Sequence, residues 1–318
     1  MSAPEILCLS ANPAIDCRLR FPAFTVGQIN RATSVEAFAG GKAAHVAMAA
    51  HALGARTVWF GFLGGATGEE FASDLRELEI ALARISTRKP TRTNLELLED
   101  SGKITEILEP GERLNRGEMR EMIQTLARSL RRKWRHALVL ISGSLPAGVP
   151  RSFYGSLIRT AKSAGSRVFV DTSGDALRLS LASRPAFIKP NLEEAETLVG
   201  RRLKDQAAVL DAAKELIDRG AESAAVSLGA EGLLWIEGKN GSAWFARSPR
   251  LKPISTVGCG DATVAGFAFA AVKRAEGEAA IRLATACGAA NCLAKSPGRI
   301  SPNDVKSLMP RIEVRRIG

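Results

Sequence analysis

Short apolar runs alternate along the chain with segments in which apolar residues recur at helical spacing. Runs with the length of a buried strand are EILCLS, RTVWFGFLG, ALVLISG, RVFVDTS, AFIKPN and SAAVSLG. Between most of them lie helix-like segments, such as KAAHVAMAAHALG, RGEMREMIQTLARSL, SFYGSLIRTAKSAG and LKDQAAVLDAAKELIDRG. This alternation predicts an α/β fold with right-handed βαβ units and a mostly parallel sheet covered by helices on both faces. We expect the chemistry in the loops after the strands, because ligands of such sheets bind there.

Two segments depart from this alternation, at about residues 12–38 and 90–109. Both have roughly period-two patterning with turn signals, and EDSGK in the second is typical of a hairpin tip. They predict a small separate β layer on one side of the main sheet, placed to act as a lid. We therefore expect one domain over residues 1–318 that carries this lid.

Composition excludes several classes of protein. The chain has 318 residues, of which 46% are hydrophobic and 24% charged, and it shows no fixed repeat, as expected of an ordinary globular protein. It has no apolar stretch of about 18 residues and no signal-like N-terminus in MSAPEILCLSANP, so we expect a cytoplasmic protein with no membrane partner. The five cysteines form no CxxC pair, which favours reduced thiols over a disulfide framework or a zinc site.

The formal net charge of +11 raises the alternative of a nucleic-acid partner, and RRKWRH at 131–136 is the densest basic run. Aromatic side chains that could stack on bases are scarce, with one Tyr and four Trp in the chain. We therefore interpret the run as a solvated helix end and expect no nucleic-acid partner. The positive charge instead suits anionic small molecules, such as phosphorylated sugars and nucleotides.

The stretch TVGCGDATVAGF places a carboxylate between a glycine-rich turn and an apolar helix. If the turn Gly258-Cys259-Gly260 opens that helix, the free backbone N–H groups and the positive end of the helix dipole form an anion hole. Asp261 then stands beside the anion and can accept a proton from a hydroxyl that attacks a phosphoryl group. An N-cap role for Asp261 is the alternative, and these residues alone leave both open. Glu36 stands where a Walker loop needs its first glycine, and Ala43 stands where it needs Ser or Thr. Thr263 stands where the dinucleotide fingerprint has its last glycine, so neither motif fits the chain.

A series of motifs, in order along nearly the whole chain, resembles the ribokinase-like (pfkB) carbohydrate kinases. These are NPAID, AGGKAAHVAMAAHALGA, TRTNLEL, SGSLPAGVP, KPNLEEAETLVG, VSLGAEGLL and STVGCGDATVAGF. Within that family, TRTNLEL and SGSLPAGVP are more typical of the 1-phosphofructokinase and tagatose-6-phosphate kinase branch. The resemblance implies a ribokinase-like three-layer αβα fold with a small β-sheet lid.

Matched motif by motif, the resemblance makes Asp261 the catalytic base and the backbone of Gly258, Cys259 and Gly260 the anion hole for the transferring phosphoryl group. Asp16 matches the family's acceptor of sugar hydroxyl hydrogen bonds, with a turn residue in the lid as the alternative.

Other motif positions imply how the rest of the sugar is held. Gly40 and Gly41 would let the sugar approach the backbone. Lys42 and Arg92 would hold the phosphate already on the sugar.

The nucleotide side follows from the later motifs. Asn191 and Glu194 match the pair that organises Mg²⁺ through water, with helix capping as the alternative. ATP is the implied cofactor, a monovalent cation is a further one, and ATACGAANCLAKSPG resembles the wall of the adenine site. The residues expected at the nucleotide are Lys189, Asn191, Ser227, Gly229 and Gly232.

Three positions depart from the family pattern. The branch commonly has the sequence Gly-Gly-Lys-Gly-x-Asn at this point. In this chain Ala43 replaces the last glycine and His45 replaces the asparagine. His45 either packs on the helix or contacts a substrate phosphate or hydroxyl, and the sequence leaves both open. Cys259 replaces a common Ala, and a thiol at a helix N-terminus can be reactive.

The resemblance therefore predicts a Mg-ATP-dependent kinase that phosphorylates a phosphorylated ketohexose, giving a bisphosphate. Fructose 1-phosphate, tagatose 6-phosphate and fructose 6-phosphate are the expected substrates. The alternatives are a kinase of the same fold that acts on an unphosphorylated sugar or nucleoside, and a non-catalytic sugar-phosphate sensor. A homodimer formed through the lids is a further expectation, since the family often pairs in this way.

Overall fold

The computed structural model describes residues 5–239 and 241–317, so the start of the N-terminal stretch discussed above lies outside it. Its strands are β1 Ile6–Ser10, β2 Ala14–Phe21, β3 Ser34–Gly40, β4 Thr57–Leu63, β5 Ala81–Ser86, β6 Arg92–Glu99, β7 Ile104–Leu108, β8 Leu138–Ser142, β9 Val168–Asp171, β10 Phe187–Ile188, β11 Ala224–Ser227, β12 Leu233–Ile236, β13 Ala243–Arg247 and β14 Glu313–Arg316. Its α-helices are α1 Lys42–Ala52, α2 Gly65–Glu77, α3 Arg116–Arg131, α4 Phe153–Ser163, α5 Gly174–Ser180, α6 Leu192–Val199, α7 Gln206–Asp218, α8 Cys259–Val272, α9 Gly277–Asn291 and α10 Pro302–Leu308.

The larger sheet has ten strands in the order β14-β13-β12-β11-β10-β9-β8-β1-β4-β5. Every pair from β11 to β5 is parallel, and β12, β13 and β14 add an antiparallel edge. The predicted mostly parallel α/β sheet is confirmed, and each of the predicted apolar runs forms a strand. The antiparallel edge was not predicted, because its short strands follow β11 without an intervening helical segment and so leave no βαβ pattern.

Helices cover both faces of this sheet, as the alternating pattern predicts. Residues of α1, α2, α8, α9 and α10 share one apolar core with one face, while α3, α4 and α7 pack on the other. Helix α8 is apolar almost all round, and Phe267 lies between the rings of Phe187 and Trp235. A helix buried on all sides holds its N-terminus in one place, which matters for the site at its first turn.

The second sheet has the order β3-β2-β6-β7 and forms the predicted lid layer. Glu99 and Lys103 flank the EDSGK turn, in which the Gly102 N–H donates to the Glu99 carbonyl at 2.8 Å. Strand register places Asp16 beside Asn94 on one face, and alternation places Val35 on the opposite face.

The lid joins the main sheet at the carboxyl end of β1. The chain leaves β1 at Ser10 and enters the lid at Ala14, and it leaves the lid at Gly40 to start α1 at Lys42. The lid is therefore anchored beside the N-terminus of α1, at the sheet edge where ligands of parallel sheets bind.

The basic run at 131–136 lies at the end of α3, where Arg131 is the last helical residue. Trp134 within it is buried and packs on Phe60, with ring centroids 5.4 Å apart. Its aromatic ring is thus part of the core and is not available to stack on a base. In the part of the chain that the structure describes, every helix is too short or too polar to span a lipid bilayer.

Candidate active site

Helix α8 begins in the glycine-rich turn that the sequence singled out. Gly258 is its N-cap with φ of 80°, and a Cβ there would lie 2.8 Å from Pro297 Cβ, so only glycine fits. The Cys259 N–H donates to the Thr256 carbonyl at 3.3 Å. Among the described contacts, the N–H groups of Gly260 and Asp261 have no partner, so they are free to bind an anion.

The turn is fixed from behind by α9. The Asn291 side chain is buried, and its Nδ2 donates to the Val257 carbonyl at 2.7 Å while its Oδ1 accepts from the Gly298 N–H at 2.8 Å. The Thr263 hydroxyl donates to the Cys259 carbonyl at 2.8 Å. These buried hydrogen bonds hold the free amide groups in a fixed arrangement before any ligand binds.

Asp261 lies in the first turn of α8, three residues after the N-cap Gly258, so the N-cap alternative is wrong. Its carboxylate is buried, and Oδ2 accepts from His45 Nδ1 at 2.8 Å. Among the described residues, Oδ1 has no hydrogen-bond donor, and this oxygen is available to accept a proton from a substrate.

His45 lies on the first turns of α1, facing α8 on one side and the lid on the other. Its Nε2 is 3.0 Å from Asp16 Oδ2, so one imidazole bridges two carboxylates. Burial lowers the pKa of His45, but hydrogen bonds to Asp16 and Asp261 and the charges of both more than offset this and raise the pKa to about 10. The ring is therefore an imidazolium at neutral pH that donates to both partners, and the packing-only interpretation of His45 is wrong.

Asp16 lies in the middle of β2 and not in a turn, so the turn alternative is also wrong. Its Oδ1 accepts from Asn94 Nδ2 at 2.8 Å, and its Oδ2 accepts from the Gly41 N–H at 3.3 Å. Burial raises the pKa of Asp16. The hydrogen bond and the charge of His45, together with hydrogen bonds from Asn94 and Gly41, outweigh this effect and lower the pKa overall. Gly40 is required here, because its Cβ would lie 2.1 Å from Asp16 Cγ.

Lys42 and Lys189 flank a carboxylate that sequence reasoning missed. Asp171 ends β9 and is buried, with Oδ2 at 3.5 Å from Lys42 Nζ and Oδ1 at 3.9 Å from Lys189 Nζ. The charge of Asp171 is the largest of the effects that raise the pKa of Lys42, followed by those of Asp261 and Glu194. The signal that could have found Asp171 is a carboxylate directly after the apolar strand VFV.

Lys189 also faces the anion hole, because a Cβ on Gly260 would lie 3.3 Å from Lys189 Nζ. Both lysines thus lie near the first turn of α8, where they can contact an anion bound to the free amides.

Asn191 and Glu194 form a capping box at the start of α6. Glu194 N–H donates to Asn191 Oδ1 at 2.8 Å, and Asn191 N–H donates to Glu194 Oε2 at 2.9 Å. The capping alternative is therefore observed, and it leaves Glu194 Oε1 outside the box. Within the described ranges no cluster of three or more His, Cys, Asp or Glu could hold a metal directly. Asp171 Oδ1 is buried without a hydrogen bond, and the charges of Asp171 and Glu194 both raise the pKa of Lys42, so oxygen atoms suited to a hydrated Mg²⁺ are present around this lysine.

Arg92 is the first residue of β6, at the root of the lid. Its guanidinium donates to the carbonyl oxygens of Asn12 and Glu109, the former at 3.3 Å. It borders a cavity of about 180 Å³ whose other cationic side chains are Arg88, Lys89 and Arg113. The resemblance assigned Lys42 and Arg92 to one phosphate, but their surroundings differ. Lys42 pairs with Asp171, whereas Arg92 borders this cavity.

The remaining predicted nucleotide residues lie around the end of β11. Ser227 pairs with Asn191 in an isolated parallel bridge, and Gly229 opens a short turn with φ of 60°. Gly232 has a packing reason of its own, since its Cβ would lie 2.0 Å from the Ala246 carbonyl oxygen. Only glycine therefore permits the β12 strand to approach β13 at this point.

Comparisons with known proteins identify the family of the chain. The family model described as pfkB family carbohydrate kinase matches residues 6–304. A 1-phosphofructokinase of Xanthomonas campestris pv. campestris is 36% identical over 308 residues, which cover 95% of each chain. A tagatose-6-phosphate kinase of Staphylococcus epidermidis is 30% identical over 97% of this chain and 99% of its own.

A solved structure of phosphofructokinase-2 from Escherichia coli in complex with fructose-6-phosphate is 30% identical. It superposes with a TM-score of 0.88 over 97% of this chain and 99% of its own. Further structures of that protein are described as a potassium complex and as a tetrameric inhibited form. The match along the chain, the fold and the relatives agree, and the chain belongs to the pfkB family of ATP-dependent carbohydrate kinases.

Proposed function

We propose that this kinase transfers the γ-phosphoryl group of ATP to a free hydroxyl of a phosphorylated ketohexose, giving a sugar bisphosphate. The substrates proposed are fructose 1-phosphate, tagatose 6-phosphate and fructose 6-phosphate. The observation that carries the proposal is the chain Asp16–His45–Asp261, which joins the lid to the first turn of α8 through hydrogen bonds of 3.0 and 2.8 Å.

Asp261 acts as the general base. Its free Oδ1 is the atom that accepts the proton of the attacking hydroxyl, while Oδ2 stays bound to His45. The free N–H groups of Gly260 and Asp261 lie in the same first turn of α8, where they stabilise the negative charge on the transferring phosphoryl group.

His45 acts as a positioning residue for this base. As an imidazolium it fixes the orientation of the Asp261 carboxylate and balances the charge of two buried carboxylates. It also couples the site to the lid, because Asp16 can bind sugar hydroxyls only where His45 and Asn94 hold it.

Lys42 and Lys189 serve the phosphates of ATP. Both lysines lie next to Asp171 and near the α8 turn, so a phosphoryl group there receives positive charge from two sides. Asp171 and Glu194 are the oxygen donors that would hold a hydrated Mg²⁺, which supplies charge neutralisation at the phosphates when bound.

Arg92 holds the phosphate already on the sugar. The cavity beside its planar fork is lined by Arg88, Lys89 and Arg113 and also by Glu112 and Glu118, and Lys89 is paired with Glu112 at 2.8 Å. The arginines are therefore the cations proposed to hold the phosphate. The name 1-phosphofructokinase of the Xanthomonas relative and the fructose-6-phosphate complex of the Escherichia coli protein support this choice of substrate class.

We further propose that two copies associate through the outer face of the lid. Val26 and Ile29, in the loop between β2 and β3, are 86% and 81% exposed, and Val35 and Ile107 are exposed on the face of the lid opposite to Asp16. An apolar surface of this kind on a small sheet is typical of a protein interface.

The test is ADP release with Mg-ATP and a panel of fructose 1-phosphate, fructose 6-phosphate, tagatose 6-phosphate, fructose and ribose. We expect turnover on a phosphosugar, and Asp261→Asn should reduce kcat by at least ~10²-fold while phosphosugar binding persists. Asp211→Asn, which changes an exposed carboxylate on α7, is the matched control.

Other outcomes separate the alternatives. Turnover on fructose or ribose alone would mean a kinase of unphosphorylated sugars. Phosphosugar binding without turnover would mean a sensor.

A further inference from the structure

Two thiols lie next to each other at the anion hole. Cys259 is the first residue of α8, Cys292 directly follows α9, and their Sγ atoms are 3.0 Å apart. A disulfide bond of ~2.05 Å is shorter by only about 1 Å. Joining the two sulfur atoms would therefore need a movement of only about 1 Å at this junction.

The packing of α8 on α9 keeps the thiols together. A Cβ on Gly266 would lie 2.6 Å from Ala284 Cα, and one on Gly288 would lie 2.4 Å from the Thr263 hydroxyl. The two helix backbones thus approach as closely as glycine allows. Asn291 bridges the same junction, with Nδ2 at 3.5 Å from Cys259 Sγ. The effective concentration of one thiol at the other is high, because neither can move away without breaking these contacts.

The two thiols differ from the two fully buried cysteines in their surroundings. Cys8 and Cys287 are fully buried, and burial raises the pKa of both thiols. Cys259 and Cys292 are half-buried, and the hydrogen bond from Cys259 lowers the pKa of Cys292. A thiol whose pKa is lowered, next to a second thiol, is the arrangement from which disulfides form.

We propose that Cys259 and Cys292 are a redox-modification site, which peroxides or low-molecular-weight disulfides oxidise to a disulfide that inactivates the kinase. With hydrogen peroxide, the Cys292 thiolate attacks one peroxide oxygen and becomes a sulfenic acid as water leaves. Cys259 then attacks the sulfenic sulfur, the S–S bond forms, and a second water leaves. Two thiols lose two electrons and two protons in total, and the peroxide O–O bond takes up both electrons.

The disulfide would act on the anion hole directly. Closing the S–S bond pulls the first residue of α8 toward the end of α9, which displaces the neighbouring amides of Gly260 and Asp261. A displacement of ~1 Å at a reacting centre can cost ~10²-fold in rate. The effect on activity rests on the proposed function, whereas formation of the disulfide does not.

The experiment treats the whole protein with hydrogen peroxide, and separately with glutathione disulfide, and follows intact mass, cross-linked peptides and ADP release. We expect a mass loss of about 2 Da, a peptide pair joined through Cys259 and Cys292, and a parallel loss of activity that dithiothreitol reverses. For Cys292→Ser and for Cys259→Ala, ADP release after oxidation is compared with ADP release of the same variant before oxidation. Both variants should lack the cross-link and the reversible inactivation. Cys17→Ser, which changes the half-buried lid cysteine, should respond like the wild type.

Absence of the Cys259–Cys292 peptide pair would overturn the site, whatever the activity. A complete cross-link with unchanged ADP release would overturn the inactivation. Reversible inactivation that persists in Cys292→Ser would assign the effect to another residue and overturn the proposal. If no sugar is phosphorylated at all, the mass and peptide readouts still decide whether the disulfide forms.

Discussion

His45 Nδ1 lies 2.8 Å from Asp261 Oδ2, and the ring that makes this contact is buried between the lid and α8. The opposite nitrogen contacts Asp16, so the sugar side and the phosphoryl side of the site share one side chain. In the proposed mechanism, sugar binding by Asp16 and proton transfer to Asp261 would be coupled through this one imidazolium.

Removal of that ring should lower the rate more than it weakens ATP binding. We expect His45→Ala to reduce kcat by at least ~10²-fold, because Asp261 loses its orienting donor and two buried carboxylates face each other without a cation. His45→Asn keeps one donor and should stay within about 10-fold of the wild type. Steady-state kinetics with thermal unfolding of each variant check this. Wild-type kcat in a folded His45→Ala protein would contradict the positioning role.

Stability should depend on pH through the same residue. The pKa of His45 is about 10 in the folded chain and 6.5 ordinarily, so the folded state binds this proton more tightly. The resulting stabilisation is complete below about pH 6.5 and is lost as the pH rises through about 10. Urea titrations measure the free energy of unfolding of the wild type and of His45→Asn. Between about pH 7 and about pH 10, we expect this free energy to fall more in the wild type than in the variant. A constant or growing difference would argue against a charged His45.

Arg92 and Lys42 should have separable effects on kinetics. Arg92→Ala should raise the KM for the phosphosugar by at least ~10-fold with little change in the KM for ATP, because it faces the lid cavity. Lys42→Met should instead lower kcat or raise the KM for ATP, because Lys42 lies beside Asp171. Kinetics with each substrate varied in turn measure both effects. The same change in both variants would mean that the two cations serve one phosphate.

Any side chain at position 40 should weaken sugar binding. The Cβ of Gly40→Ala would overlap the Asp16 carboxylate at 2.1 Å, so Asp16 must move away from His45 and Asn94. We expect the sugar KM to rise by at least ~10-fold. Gly238→Ala is the control, because among the described residues its Cβ would meet only the Glu222 carbonyl oxygen, at 3.6 Å. Unchanged sugar KM in Gly40→Ala would show that Asp16 does not bind the sugar.

The lid surface should control assembly. We expect Val26→Asp with Ile29→Asp to shift the protein toward monomers in sedimentation velocity, because two charges would be placed in the proposed apolar interface. Ile254→Asp changes a partly exposed apolar residue outside the lid and should leave assembly unchanged. A wild-type protein that is already a monomer at all concentrations would refute the lid interface.

Most of the fold could be predicted because it rests on local patterns. Apolar runs such as VFV before Asp171 and helical spacing after Lys42 are each fixed within a few residues. The antiparallel edge formed by β12, β13 and β14 could not be predicted in this way. Its pairing joins Trp244 to Arg316, and contacts so far apart in sequence leave no local period.

Much of the site was also predictable, since Gly258 and Asp261 lie in one glycine-rich turn whose chemistry follows from a helix N-terminus. The sequence by itself determined which residue types stand at this turn and which layers would form around it. Only the tertiary structure decided that His45 joins Asp16 to Asp261, that Lys42 turns to Asp171, and that Cys259 meets Cys292. Those contacts depend on how α1, α8, α9 and the lid pack together. This packing is stabilised by many weak contacts between residues far apart in sequence, so no local sequence pattern predicts it.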